Sequence, residues 1–118
     1  MKTFPKKTSG KTLKMMDGVR QSKRYPETFS VPDRTQKVAV RKGDYVKLCF
    51  INPDKPSGDT IPMDERMWVM VTSIDGRKYF GKLHNEPRSF RAAVLKYGQK
   101  IEFESRHILD IIRKEEEG

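Results

Sequence analysis

Disulfide bonding is closed to this chain within itself, because Cys49 is its one cysteine. That thiol sits in the apolar run from Tyr45 to Ile51, where it reads as a small buried or half-buried side chain, with no support for a stapled secreted fold. Long apolar runs are missing too. Nothing approaches the ~20 residues that span a bilayer, and the N-terminus lacks the apolar core of a signal peptide, so a cytoplasmic protein without a membrane is expected. Histidine occurs twice, as His84 and His107. With Glu86 and Asp110 nearby they match no metal-ligand spacing, and they read as surface histidines flanking strands. Glycines stand singly and form no phosphate-cradling loop. A cysteine in mid-strand among apolar neighbours also lacks the electropositive, partly exposed setting of a nucleophile. No catalytic residue, metal or cofactor is expected from these patterns, and the chain is read as a non-enzyme.

Acidic charge is scarce in one region. Residues 1 to 24 carry eight basic side chains against Asp17 alone, whereas the rest holds 17 basic and 15 acidic ones, within a net charge of +9. The body is nearly neutral and the basicity belongs to residues 1–24. That stretch has few large apolar residues, too few to offset its ordering entropy. Leu13, Met16 and Val19 are spaced for one apolar helical edge over about two turns, with Gly18 working against it. Two readings stand side by side: an arm that folds onto an anionic partner, or a solubilising or docked segment. On the first, Lys6, Lys7, Lys11, Lys14, Arg20, Lys23 and Arg24 contact nucleic acid or a nucleoprotein surface such as a ribosome.

The remaining residues, 25–118, have room for one domain that buries roughly two-thirds of its unfolded surface. Its centre is the stretch from Asp64 to Pro87. Two strand-like runs flank Asp75-Gly76, which reverses a hairpin tightly because glycine takes positive φ at no steric cost. Prolines 26 and 32 favour an extended connector, and Lys37 to Val40 reads as a short strand. From Tyr45 to Phe50, Val46, Leu48 and Phe50 share one face while Tyr45, Lys47 and Cys49 share the other. Residues 51–64 hold three prolines and form a long exposed loop, a candidate partner-binding element. Ser89 is placed to cap a short helix or 3₁₀ segment through Phe90 to Tyr97, ended by Gly98. Gln99 to Glu104 alternates as a strand, and His107 to Ile112 is a closing strand or a helical turn. The fold class expected is mainly β: a small antiparallel SH3-like barrel or curled sheet with one short helix and a basic N-terminal arm. An α+β roll is the runner-up.

The ordered residues Gly43-Asp44-x-Val46-Lys47-Leu48-x-Phe50, Glu65-Arg66-Met67-Trp68-Val69-x-Val71, Gly81-Lys82-Leu83-x-Asn85-x-Pro87, Leu95-Lys96-x-Gly98, Ile101-x-Phe103 and His107-Ile108-x-Asp110 carry a resemblance. Over roughly residues 41–111 the chain resembles the uncharacterised bacterial YegJ-like family. The resemblance implies a small bacterial or phage-borne domain and brings no catalytic residue with it.

Binding is then the class of function to weigh. Phe80 and Lys82 share a strand face, and Arg88 and Arg91 lie near it, so an aromatic-and-cation contact face on the domain is one candidate. Trp68 is assigned to the core, as one of few large residues available to fill it. The alternatives are a protein-binding inhibitor or immunity-type module using the 51–64 loop or a barrel edge, and an enzyme with an unrecognised site.

Overall fold

The computed structural model describes residues 13–54 and 63–114. Its organising unit is the expected hairpin: β2 (Glu65–Asp75) turns through Gly76 and Arg77 into β3 (Lys78–Leu83). Gly76 has φ 62°, and Arg77 is not among the positive-φ residues. Glycine at the first central position with a positive φ is the II′ arrangement, whose twist matches that of the two strands.

β1 (Tyr45–Phe50) pairs with β2 from Tyr45↔Met70 to Phe50↔Glu65, and β4 (Lys100–Glu104) pairs with β3. The last strand, β5 (Asp110–Ile112), returns to the free side of β1. The result is a five-stranded antiparallel sheet in the order β4-β3-β2-β1-β5. It does not close: β4 and β5 are its two edges, so the barrel expectation gives way to an open sheet. The sheet nonetheless has to coil. Flat, the two edges would stand about 19 Å apart, offset further along the strands, while the link from Glu104 to Asp110 reaches only about 16 Å, three of its residues being in a 3₁₀ turn (Ser105–His107).

One face of this sheet is the core. Val46, Leu48 and Phe50, then Met67, Val69 and Val71, then Leu83, Ile101 and Phe103 are all buried. Tyr79 points inward with Gly81 and Leu83 by the plain alternation of β3 and stacks on Phe103 at 5.3 Å, while an irregularity between Val71 and Ser73 resets the register on the β2 side alone. Phe90 and Leu95 cover the face from the β3–β4 connection, and Ile108 covers it from the chain leading into β5.

Several local elements differ from the sequence expectation. No strand forms at Lys37–Val40. Instead Asp33 and Gln36 make reciprocal side-chain bonds to each other's amides, a capping box that starts the helix α2 (Arg34–Val38). Of the helical edge expected over Thr12–Val19, residues 13–17 are extended chain instead, and Thr12 lies outside the described residues. Met15 bridges Phe50, Met16 N–H donates to the Cys49 carbonyl, and the helix α1 (Gly18–Arg24) begins only after the Asp17 cap. Numbered in order of the chain, α1 thus precedes α2, and two short helices stand where one was expected elsewhere. Gly18 lets α1 sit on Leu109, because a Cβ there would stand 2.6 Å from the leucine Cδ2. The helix expected after Ser89 is a series of turns, although Gly98 takes its expected positive φ of 82°. Ser89 is engaged elsewhere: its hydroxyl donates to the Met63 carbonyl, and its amide donates to the Glu65 carboxylate. Burial pushes the Glu65 carboxyl up, but the Ser89 and Arg88 amides outweigh it and hold the group below its usual range.

His107 is buried, not a surface residue, and its Nδ1 accepts the Glu104 amide at 3.0 Å. Burial foremost, then the Arg106 charge, depresses its pKa below 6.5, against opposing pulls from Glu104 and Asp17. A lowered folded-state value means the unfolded chain binds the extra proton first, so stability is lost as the pH falls below 6.5 toward that lower value. His107→Asn keeps an acceptor near the Nδ1 position without titrating. It is expected to flatten the dependence of Tm on pH across this window; an unchanged dependence would acquit His107.

Candidate functional site

The side of the sheet opposite the core carries a different set of residues. Strand parity turns Tyr45 and Lys47 of β1, Trp68 and Met70 of β2, and Phe80 and Lys82 of β3 outward. Register aligns them into rows across the strands. One row runs Lys100, Lys82, Met70, Tyr45, and the next includes Trp68, Lys47 and Asp110. The His84 amide donates to the Trp68 carbonyl at 2.9 Å, which extends the β3 pairing by one residue and sets His84 beside the tryptophan.

Trp68 therefore does not fill the core. The core positions of β2 are Met67, Val69 and Val71, and Trp68 lies between them on the other face, half-buried, with Lys47 Nζ 5.0 Å from its ring centroid. That is cation–π distance. Beside it, the Tyr45 and His84 rings are 5.1 Å apart, and His84 lies 5.8 Å from Tyr97. Tyr97 is 52% exposed. The face thus offers a series of rings bordered by the Lys47, Lys82 and Lys100 ammonium groups. Toward its far end, Arg66 stacks on Phe29 at 5.6 Å. Of the carboxylates on this side, Glu102 is held by Lys78 at 3.0 Å.

The residues singled out in the sequence distribute as follows. Phe80, half-buried, and Lys82, exposed, share the outer face. Arg88 and Arg91 belong to the β3–β4 connection and do not join them. Arg91 forms a two-pronged bond with Asp54, Nε and Nη2 to the two carboxylate oxygens at 2.8 and 2.9 Å. That fork raises the Arg91 pKa and lowers that of Asp54. It ties down one end of the 51–64 loop, where Asn52 also receives a carboxylate bond partner in Asp64, its amide donating at 2.8 Å. The middle of that loop, 55–62, lies outside the described residues, as do Lys6, Lys7 and Lys11. Lys14 sits exposed in the segment paired with β1, and Arg20, Lys23 and Arg24 lie exposed on α1. None of these four forms an ion pair with a described carboxylate; Arg24 instead stacks on Tyr25 at 5.8 Å.

Tyr45, Lys47, Trp68, His84 and Tyr97 were not recognised as a set from sequence. The signal available was the parity of β1, which already put Tyr45 and Lys47 opposite Val46 and Leu48. His84 and His107 do not converge, one being on the outer face and the other buried at the 3₁₀ turn. Among the described residues no cluster of three or more His, Cys, Asp or Glu is placed to hold a metal. Cys49 is buried, and burial with the Asp64 charge pushes its thiol up, away from thiolate character. Among the described residues no helix is long and apolar enough to cross a membrane.

Comparison with known proteins gives a family match. The model of DUF2314, a family described as an uncharacterized protein conserved in bacteria, matches residues 14–117. The match takes in the Met15 bridge and α1 as well as the whole sheet. No curated protein and no solved structure matches.

Proposed function

The chain belongs to the DUF2314 family of uncharacterized proteins conserved in bacteria, and from that premise we propose that it is a non-catalytic module that binds single-stranded nucleic acid across the outer face of its sheet. Basic residues before Tyr25 add sequence-independent charge. Within this reading the closer affiliation is YegJ-like, the origin bacterial or phage-borne, and the setting cytoplasmic.

The observation that carries it is the run of rings on the outer face, Trp68 under Lys47 and Tyr45–His84–Tyr97, bordered by Lys82 and Lys100. Unpaired bases stack on such rings whatever their sequence, while ammonium groups take the phosphates. A duplex hides those base faces, so single strands are the better substrate for this surface.

The test is fluorescence anisotropy with a short labelled single-stranded RNA and DNA, and the duplex of each, over a salt series. Single strands are expected to bind more tightly than duplex, with log K falling linearly as log salt rises. Salt-independent binding, or a preference for duplex, would overturn the reading. Removal of residues 1–12 is the informative truncation, because cutting at Tyr25 would also remove α1 and the Met15 bridge. That shortened chain is expected to keep binding with a shallower salt slope. A second reading draws on the open sheet: β4 pairs on one side only, leaving an edge to which a partner protein can add a strand. A stoichiometric protein retained after nuclease treatment of a bacterial lysate would favour that reading, through this edge or the 51–64 loop.

A further inference from the structure

At the hairpin-turn end of the domain, away from the outer-face rings, α1, α2, the β2–β3 turn and the 3₁₀ turn line an open cavity of about 690 Å³. That volume falls in the range of about 300–1,000 Å³ typical of small-molecule sites. Its walls contain four cations: Arg34 and Lys37 from α2, Arg77 from the turn, and Arg106 from the 3₁₀ segment. Glu104 is the single carboxylate among them. Arg106 is already committed, to Glu104 at 2.9 Å and to Asp17 at 3.3 Å. Arg34 and Arg77 are exposed and make no ion pair with a described residue.

Lys37 is the unusual member. Only 6% of the residue is exposed, yet its ammonium has no hydrogen-bond or ion-pair partner among the described residues. Its backbone is used, the carbonyl accepting the Tyr79 hydroxyl at 3.2 Å, but its charge is not. A buried ammonium with no bonded partner is costly even with the Asp17 charge acting on it, and proteins that keep one ordinarily supply a closer counter-charge. Here the cavity is where one would fit. Apolar groups share the lining: Val19, Pro32 and Val38, the last 70% exposed among the described residues.

We propose that this cavity binds a small phosphorylated molecule with an apolar body, of nucleotide size, whose phosphate lies against Lys37 and is held by the Arg34 and Arg77 guanidinium groups. Guanidinium forks match phosphate oxygens two at a time, and a dianion answers several cations better than a carboxylate does. The apolar body lies along Val19, Pro32 and Val38. Burial lowers the Lys37 pKa from 10.5, with only the Asp17 charge opposing, which accords with a charge that lacks its partner. This assignment is independent of the outer face and of what binds there.

The probes are AMP and inorganic phosphate, at millimolar concentration, added to the full chain and followed by thermal shift and by amide NMR of the lining residues. AMP is expected to raise Tm and to shift the Arg34–Val38 and Arg77 amides, with phosphate weaker at the same positions. Lys37→Met removes the charge and keeps most of the stem. It is expected to fold with an equal or higher Tm and to bind AMP at least about tenfold more weakly, a difference of ~1.4 kcal/mol, while binding oligonucleotides as before. Should Lys37→Met fail to fold, the pair Arg34→Ala with Arg77→Ala, both exposed, carries the test with the same expected loss. The proposal is overturned if neither probe perturbs the wild-type chain, or if the variants bind AMP as tightly as the wild type does. AMP binding no tighter than phosphate would remove the apolar wall from the assignment.

Discussion

Tyr97→Ala is expected to weaken single-stranded oligonucleotide binding by roughly 5- to 150-fold, the worth of one stacked base at about 1–3 kcal/mol, without changing the salt slope. The residue suits the experiment because it is 52% exposed in the β3–β4 connection and is not part of the core. Its loss should leave Tm nearly unmoved. Lys82→Ala is the complementary change. A phosphate contact contributes to affinity through counterion release, so removing it should lower the slope of log K against log salt by about 0.7 for a single strand. Stacking and charge are thereby separated: one variant moves the intercept, the other the slope. Trp68→Ala should lose at least as much affinity, but its half-buried ring also supports the sheet, so its Tm must be followed alongside. If Tyr97→Ala and Lys82→Ala both bind like the wild type, the outer face is not the contact surface.

How much of this was legible beforehand depended on the range of the interaction involved. The hairpin and its Gly76 reversal, the β1 and β4 alternation and the Gly98 turn are local, and they are where the sequence places them. Trp68 was not legible, because β2 is apolar on both sides from Met67 to Val71. A run without alternation leaves its parity to the partner strands, and the pairing of Val69 with Leu83 and Val46 is what settles it. The α2 helix was hidden by the prolines before it, Pro26 and Pro32, although Asp33 and Gln36 carry the spacing of a capping box. Arg91 looked like part of a cationic face until its fork with Asp54 appeared across the 51–64 loop. Closure of the sheet is the least local property of all. β5 docks on β1 rather than on β4, and no pattern within His107 to Ile112 says which edge will accept it. Composition set a boundary at residue 24 for the same reason: the Met15–Phe50 bridge and the seat of Gly18 on Leu109 are long-range contacts that a local count of lysines does not register.

Gly81→Val is expected to prevent folding, and Gly81→Ala to cost about 3 kcal/mol or more, a large share of the ~5–15 kcal/mol that holds a typical domain together. Gly81 lies in the middle of β3, paired with Val71 on one side and Ile101 on the other. It points to the core face, where a Cβ would run into the Met70 carbonyl oxygen and stand 2.6 Å from Val69 Cγ1. The obstruction is backbone, and β2 cannot retreat without breaking the ladder that holds it to β3. Overfilling a packed core is commonly worth about 1–3 kcal/mol, and a clash with a paired strand adds the loss of that pairing. Gly76→Ala is the control. There φ is 62° and nothing lies within 4 Å of the added Cβ, so only the left-handed backbone penalty of roughly 1–2 kcal/mol applies. Urea unfolding should therefore rank Gly81→Ala well below Gly76→Ala in stability. The same close approach sets Lys82 opposite Met70 on the outer face, so a Gly81 variant that folds should also bind oligonucleotides more weakly. Equal stability of the two alanine variants would mean that β2 and β3 are not packed as described, and the outer-face rows built on their register would fall with them.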